Sequence, residues 1–176
     1  NRWLGDRRNH LFLVDVESGS IRDLTPGDMD IPPVSLASGH DFDISPDGRE
    51  VCYIRNTDPI PAAGTNHDLF VIDTEKLVEK KITENPALDS DCHYSPSGRY
   101  IAYTAMKKPG YESDRRRLII YDRKNSNRRV LTGELDRSPG QIVWAPDGES
   151  LFFTARDRGR RSLYRVTLEG KVRKLA

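Results

Sequence analysis

Three stretches of the chain repeat one phrase at a spacing of fifty residues: ISPDGREVCYI at 44–54, YSPSGRYIAYT at 94–104 and WAPDGESLFFT at 144–154. In each, Pro and Gly hold fixed places, as in Pro46-Asp47-Gly48, Pro96-Ser97-Gly98 and Pro146-Asp147-Gly148. Proline presets φ for the first central position of a type I turn, and the following glycine takes the left-handed conformation that returns the chain to a strand. The third copy replaces Ser45 and Ser95 by Ala145, and the second replaces Asp by Ser97. The two residues that the backbone needs most stay constant.

The segments around each turn read as strands. DFDI, DCHY and QIVW precede it, and VCYI, IAYT and LFFT follow it. The second set is apolar at successive positions, which predicts a strand covered on both faces. A third strand follows at HDLFVID (67–73), RLIIYD (117–122) and SLYRVT (162–167). A more polar fourth reads EKKIT, RRVLT and VRKLA. Four short strands in a period of about fifty residues are the pattern of a β-propeller blade.

The expected fold class is therefore all-β, an incomplete β-propeller of about three and a half four-stranded blades. HLFLVDVESGSIRDLT (10–25) matches only the last two strands of a blade. The expected divisions are 1–28 for the partial blade, then 41–84, 91–133 and 139–176. Propellers close with about 4–8 blades, so the chain is expected to be a piece of a longer protein. Edge blades without a ring neighbour should leave side chains such as Leu11, Leu13, Phe152 or Tyr164 uncovered, depending on which face is open, so the chain is expected either to be marginally stable alone or to cover its edges by self-association.

Charge is balanced overall, with 28 Lys and Arg against 27 Asp and Glu. That balance gives no reason to expect nucleic acid or a membrane as a partner. It conceals a polarity, because residues 1–106 carry 10 basic and 18 acidic side chains whereas residues 107–176 carry 18 and 9. No apolar run approaches the roughly 20 residues of a membrane span. No signal peptide is visible, which leaves cytoplasm and periplasm both open. Cys52 and Cys92 lie among apolar neighbours and read as buried free thiols, with a disulfide between adjacent repeats as the alternative.

Strand order assigns the loops to two faces. The SPDG-type turns and the third-to-fourth-strand turns share a short, regular face. The other face carries RNTDPIPAAGTNH (55–67), AMKKPGYESDRRR (105–117), ARDRGRR (155–161) and the link PGDMDIPPVSLASGH (26–40). Long irregular loops on a rigid scaffold are where binding residues usually sit. Tyr111, Glu112, Asp114 and Arg115 gather an aromatic ring, two carboxylates and a guanidinium in one loop, with Asn66 and Asp68 on the neighbouring one. Such groups can hold an ammonium or a carboxylate. They are the candidate substrate-binding or domain-interface residues.

Catalytic signatures are missing. There is no G-x-S-x-G elbow, no H-E-x-x-H, no phosphate-binding glycine loop and no dinucleotide fingerprint. The four histidines, His10, His40, His67 and His93, are scattered. No catalytic residue, metal site or cofactor is therefore expected.

The repeats resemble the propeller of serine peptidases related to prolyl oligopeptidase, in the acylaminoacyl peptidase and dipeptidyl peptidase 5 branch. The resemblance is carried by residues 10–28, 43–54, 66–73, 94–123 and 136–166, and the long second-blade loop is its most specific part. It implies a propeller that caps an α/β-hydrolase domain further along the chain, admits small peptides and helps bind their N-terminal side. The Ser, Asp and His of that family's triad lie in the hydrolase domain, so none transfers to this sequence. The implied partners are a C-terminal hydrolase domain and a peptide substrate. The alternative is a TolB-like propeller acting as a protein-binding module without activity. A WD40 scaffold fits less well, because Trp-Asp dipeptides are absent at the strand ends.

Overall fold

The computed structural model describes residues 7–34, 40–61 and 64–176. Among them every regular element is a strand. The first sheet is the pair β1 (Phe12–Val14) and β2 (Ile21–Asp23). The second holds β3 (Phe42–Ile44), β4 (Glu50–Asn56), β5 (His67–Asp73) and β6 (Glu79–Lys81). The third holds β7 (Asp89–Tyr94), β8 (Tyr100–Ala105), β9 (Arg117–Asp122) and β10 (Asn127–Val130). The fourth holds β11 (Gly140–Trp144), β12 (Ser150–Asp157), β13 (Arg160–Thr167) and β14 (Val172–Lys174). Each is an antiparallel meander in chain order.

The repeated phrase forms the turn between the first and second strand of each four-stranded sheet. Gly48, Gly98 and Gly148 have φ of 72°, 68° and 72°. Ser45 Oγ accepts from the Glu50 backbone N–H at 3.0 Å, and Ser95 Oγ accepts from that of Tyr100 at 3.0 Å. Ala145 lacks this hydroxyl, yet its own N–H still donates to Ser150 O at 2.9 Å. The turn therefore survives on its backbone bonds. A Cβ at Gly98 would lie 3.5 Å from the Pro46 ring, and one at Gly148 would lie 3.8 Å from Pro96. Successive turns thus pack proline on glycine along the regular face.

Apolar faces between the sheets make three cores. Leu11, Leu24 and Ile31 pack on Val51, Tyr53, Phe70 and Ile72. The other face of the second sheet, with Cys52, Ile54, Leu69 and Val71, packs on Cys92, Ile101, Tyr103 and Tyr121 of the third. Ala102, Leu118 and Ile120 then meet Leu151, Phe153, Tyr164 and Val166 of the fourth. β4 and β8 are buried on both faces because adjacent residues point into different cores. Each fully buried Leu, Ile or Phe contributes about 1.5–3 kcal/mol, so these stacked faces are the main stabilising feature. Cys52 and Cys92 are free thiols in the second core.

Register decides which of the expected edge residues are uncovered. Leu11 and Tyr164 are buried, because register turns them toward the second and third sheets. Phe12, Val14 and Ile21 are exposed on the outer side of the first sheet. Val143 and Leu163 are exposed on the outer side of the fourth, beside half-buried Phe152.

A difference from the sequence expectation concerns residues 155–161. They form no long loop: Asp157 pairs with Arg160 across Arg158 and Gly159, whose φ values are 50° and 77°. Positive φ at both central residues makes a tight hairpin turn of the kind that matches strand twist. β12 and β13 accordingly run on beyond the core as a charged ribbon.

Candidate functional site

The irregular face is built chiefly from the loops that follow β4 and β8. In the second of these, Asp114 acts as an internal staple. Its Oδ2 accepts from the backbone N–H groups of Lys107 at 2.7 Å and Lys108 at 2.9 Å, and Arg117 lies 3.9 Å away. The Lys107 N–H bond, with help from that of Lys108, holds the carboxyl below its ordinary range. Arg115 reaches sideways and donates to the carbonyls of Gly133, at 3.0 Å, and Leu135. It ties the loop to the link between the third and fourth sheets.

With its base stapled, the loop presents its tip. Tyr111 is 52% exposed, and the Lys108 ammonium lies 5.4 Å from its ring centroid. Glu112 is exposed beside it. The Gly110 N–H donates to Thr65 Oγ1 at 2.9 Å, which joins this loop to the one that follows β4.

In that neighbouring loop Asp58 accepts from the Asn66 N–H at 2.8 Å. A Cβ at Gly64 would overlap the Asp58 carboxylate, with 1.6 Å to Oδ2. Glycine there allows the carboxylate to lie against the chain. Asn66 is half-buried, and its Oδ1 is sealed from solvent without a partner among the described residues. Asp68 is fully buried and accepts from Thr57 Oγ1 at 2.6 Å and from Lys81 at 2.8 Å. Asp68 therefore supports the loop from below.

The six sequence candidates thus divide by position. Tyr111 and Glu112 are presented on the surface. Asp114, Arg115 and Asp68 hold backbone or ion-pair partners, and Asn66 is bonded within its own loop to Asp58 and Thr57. Sequence reasoning passed over His67. Its ring is fully buried, and neither nitrogen has a partner among the described residues. Burial pushes it below its ordinary value, while Asp41, Asp58 and Asp68 pull the other way. No spacing motif marks it, so only the fold could reveal it. Among the described residues no group of three His, Cys, Asp or Glu side chains is placed to hold a metal ion.

Stacked four-stranded meanders with their first strands side by side define the class: this is a β-propeller segment. Solved structures share that fold. TolB from Acinetobacter baumannii superposes with a TM-score of 0.67 at 16% identity, covering 94% of this chain and 37% of that one. A puromycin-hydrolyzing peptidase of Mycobacterium tuberculosis does so with a TM-score of 0.68 at 19% identity, covering 96% and 27%. No family model matches. Sequence relatives narrow the class further. Dipeptidyl-peptidase 5 of Porphyromonas gingivalis is 30% identical over 174 residues, covering 94% of this chain and 25% of that protein. The protein of the same name from Aspergillus fumigatus is 30% identical over 153 residues, covering 80% and 21%. The chain is a propeller segment related in sequence to dipeptidyl-peptidase 5, as its repeats suggested. It spans between a fifth and a quarter of the length of these two relatives.

Proposed function

We propose that this segment is the non-catalytic propeller part of a serine exopeptidase or oligopeptidase. In this reading it limits access to an α/β-hydrolase domain of the same protein and helps bind the peptide. The observation that carries it is the relationship to dipeptidyl-peptidase 5 along 94% of the chain. The stapled loop adds a physical reason. Tyr111 and Glu112 are exposed on a base fixed by Asp114 and Arg115. A carboxylate and an aromatic ring presented on a fixed loop base can receive a peptide ammonium with little ordering of the backbone. Asn66 and Asp68 act as supports for the adjoining loop.

The test uses the complete protein. Replacing Glu112→Gln should raise KM for a dipeptidyl dye substrate severalfold, while hydrolysis of a small uncharged ester stays unchanged. Kinetics unchanged for both, with Tyr111→Ala added, would remove these residues from the reading. A second reading, a TolB-like protein-binding module without activity, draws support from the TolB fold similarity. A complete reading frame that encodes no hydrolase domain would favour it.

A further inference from the structure

A cleft of about 510 Å³ opens on one face of the third sheet, beside its outer strand β10, with Asn85 and Gly133 of the flanking links in its wall. Register explains its lining. Ala105 pairs with Asp89 and with Arg117, while Ile119 pairs with Tyr103 and with Val130. These rows share one face of the third sheet. The cleft therefore has an apolar floor of Ala105, Ile119 and Val130, with Met106 at its rim.

Cations surround this floor. Lys107, Arg117 and Arg128 all line the cleft. Among the described residues neither Lys107 nor Arg128 has a carboxylate within ion-pair distance. Arg117 has Asp114 at 3.9 Å and donates to the Arg115 carbonyl at 2.9 Å. Arg128 donates to the Ile82 carbonyl, and its guanidinium lies 5.7 Å from the Tyr121 ring centroid, so the side chain is anchored where it lines the cleft.

Among the described residues the one carboxylate in the lining, Asp89, is fully buried. Its Oδ1 accepts from Asn85 at 2.9 Å, and its Oδ2 has no partner among the described residues. Burial pushes this carboxyl up to about 7. It therefore offsets the three cations less than an exposed carboxylate would.

We propose that this cleft is a binding site for a small carboxylate with an apolar body, held by Arg128 and Arg117 at its head and by Ile119 and Val130 along its body. The volume lies within the range of pockets that enclose small organic ligands. Guanidinium groups suit the planar carboxylate, because they can donate to both its oxygens. Two sources share this chemistry: a free organic acid, and the C-terminal carboxylate of a peptide that ends in an apolar residue. The inference does not depend on the peptidase reading, since every residue in it belongs to this chain.

The experiment is isothermal titration calorimetry on the 176-residue chain. The probes are 3-phenylpropanoate, N-acetyl-alanyl-leucine and the C-terminal amide of that dipeptide. At least one carboxylate should bind saturably at one site per chain, and the amide should bind at least tenfold more weakly. Arg128→Gln and Val130→Glu should each weaken binding by tenfold or more, with thermal melts confirming the fold. Lys107→Gln, at the exposed rim, should weaken binding severalfold and keeps the test valid if Arg128→Gln does not fold. Tighter binding of the free acid or of the dipeptide identifies the source. Absence of saturation by both carboxylates would overturn the proposal, as would equal binding of the amide or affinity indifferent to all three substitutions.

Discussion

The Asp41 carboxylate accepts a hydrogen bond from the backbone N–H of Asp91, fifty residues further along the chain, at 3.0 Å. Two residues on, Asp43 Oδ2 accepts from the Tyr94 N–H at 2.7 Å. The first strand of the second sheet thus clasps the first strand of the third. The clasp falls where β7 shifts register and Asp91 adopts a φ of 60°. β7 is the edge strand of its sheet, and the upstream carboxylates take N–H groups that it turns away from β8.

Asp41→Ala should therefore leave a buried donor unpaired. The expected loss is about 1–3 kcal/mol, read as a lower urea midpoint. An unchanged midpoint would mean that the clasp follows from the packing of the sheets and adds nothing to it.

His67 gives the stability a pH dependence. Its folded-state pKa is lowered from an ordinary value of 6.5, chiefly by burial. The unfolded chain therefore takes up a proton that the folded chain refuses. The contribution is complete above about 6.5 and is lost as pH falls through that value. Urea titrations at pH 7.5 and 5.5 should show a larger loss for the wild type than for His67→Gln. Equal losses would assign the pH dependence to other groups.

Asp89 works in the opposite direction. Burial raises its carboxyl from 3.8 to about 7, so the folded state holds a proton that the unfolded state releases. Its contribution is complete below about 3.8 and is lost as pH rises through 7. Asp89→Asn keeps an oxygen for Asn85 and removes the ionisation. The variant should gain on the wild type between pH 5 and pH 8, by an amount on the order of a few kcal/mol at most. A stability difference that stays constant over this range would contradict the assignment.

Arg115 and Glu112, close together in one loop, should separate cleanly. Arg115→Ala removes both carbonyl bonds to the 133–135 link. Amide exchange should then quicken in residues 107–116 and 132–138. Glu112→Gln should leave exchange unchanged, because its side chain is exposed. Equal effects from both substitutions would mean that Arg115 does not tie the loop to the link.

The two outer faces should draw copies together. Exposed Phe12, Val14 and Ile21 stand beside Asp15, Glu17 and Asp23. Exposed Val143 and Leu163 stand beside Arg156, Arg161, Arg165 and Arg173. Light scattering across a concentration series should find head-to-tail association that weakens as salt is raised, since exposed charges are screened within about 8 Å at physiological ionic strength. A mass that stays at one chain throughout would count against it.

The repeat was legible because it is written in residues with few conformational options. Pro46 and Gly48 leave the backbone little choice, and the apolar positions of β4 admit no wet face. The 155–161 segment misled because its strands outrun the core, so their side chains are arginines where a strand pattern would show apolar residues. Gly159 at the second turn position was the available signal. Within the candidate site, Asp114 and Arg115 carry the same chemistry that would clamp a ligand. Whether a carboxylate meets a ligand or its own loop depends on chain path, which spacing does not encode. His67 was hidden for a similar reason: a lone histidine at the start of an apolar strand has no pattern to betray its neighbours.

The Asp41 and Asp43 clasp has a direction. The acceptors lie upstream and the donors some fifty residues downstream. During synthesis the residues of the second sheet, both carboxylates among them, leave the ribosome before those of β7. The finished part of the molecule can then act as a mould for the strand that emerges next.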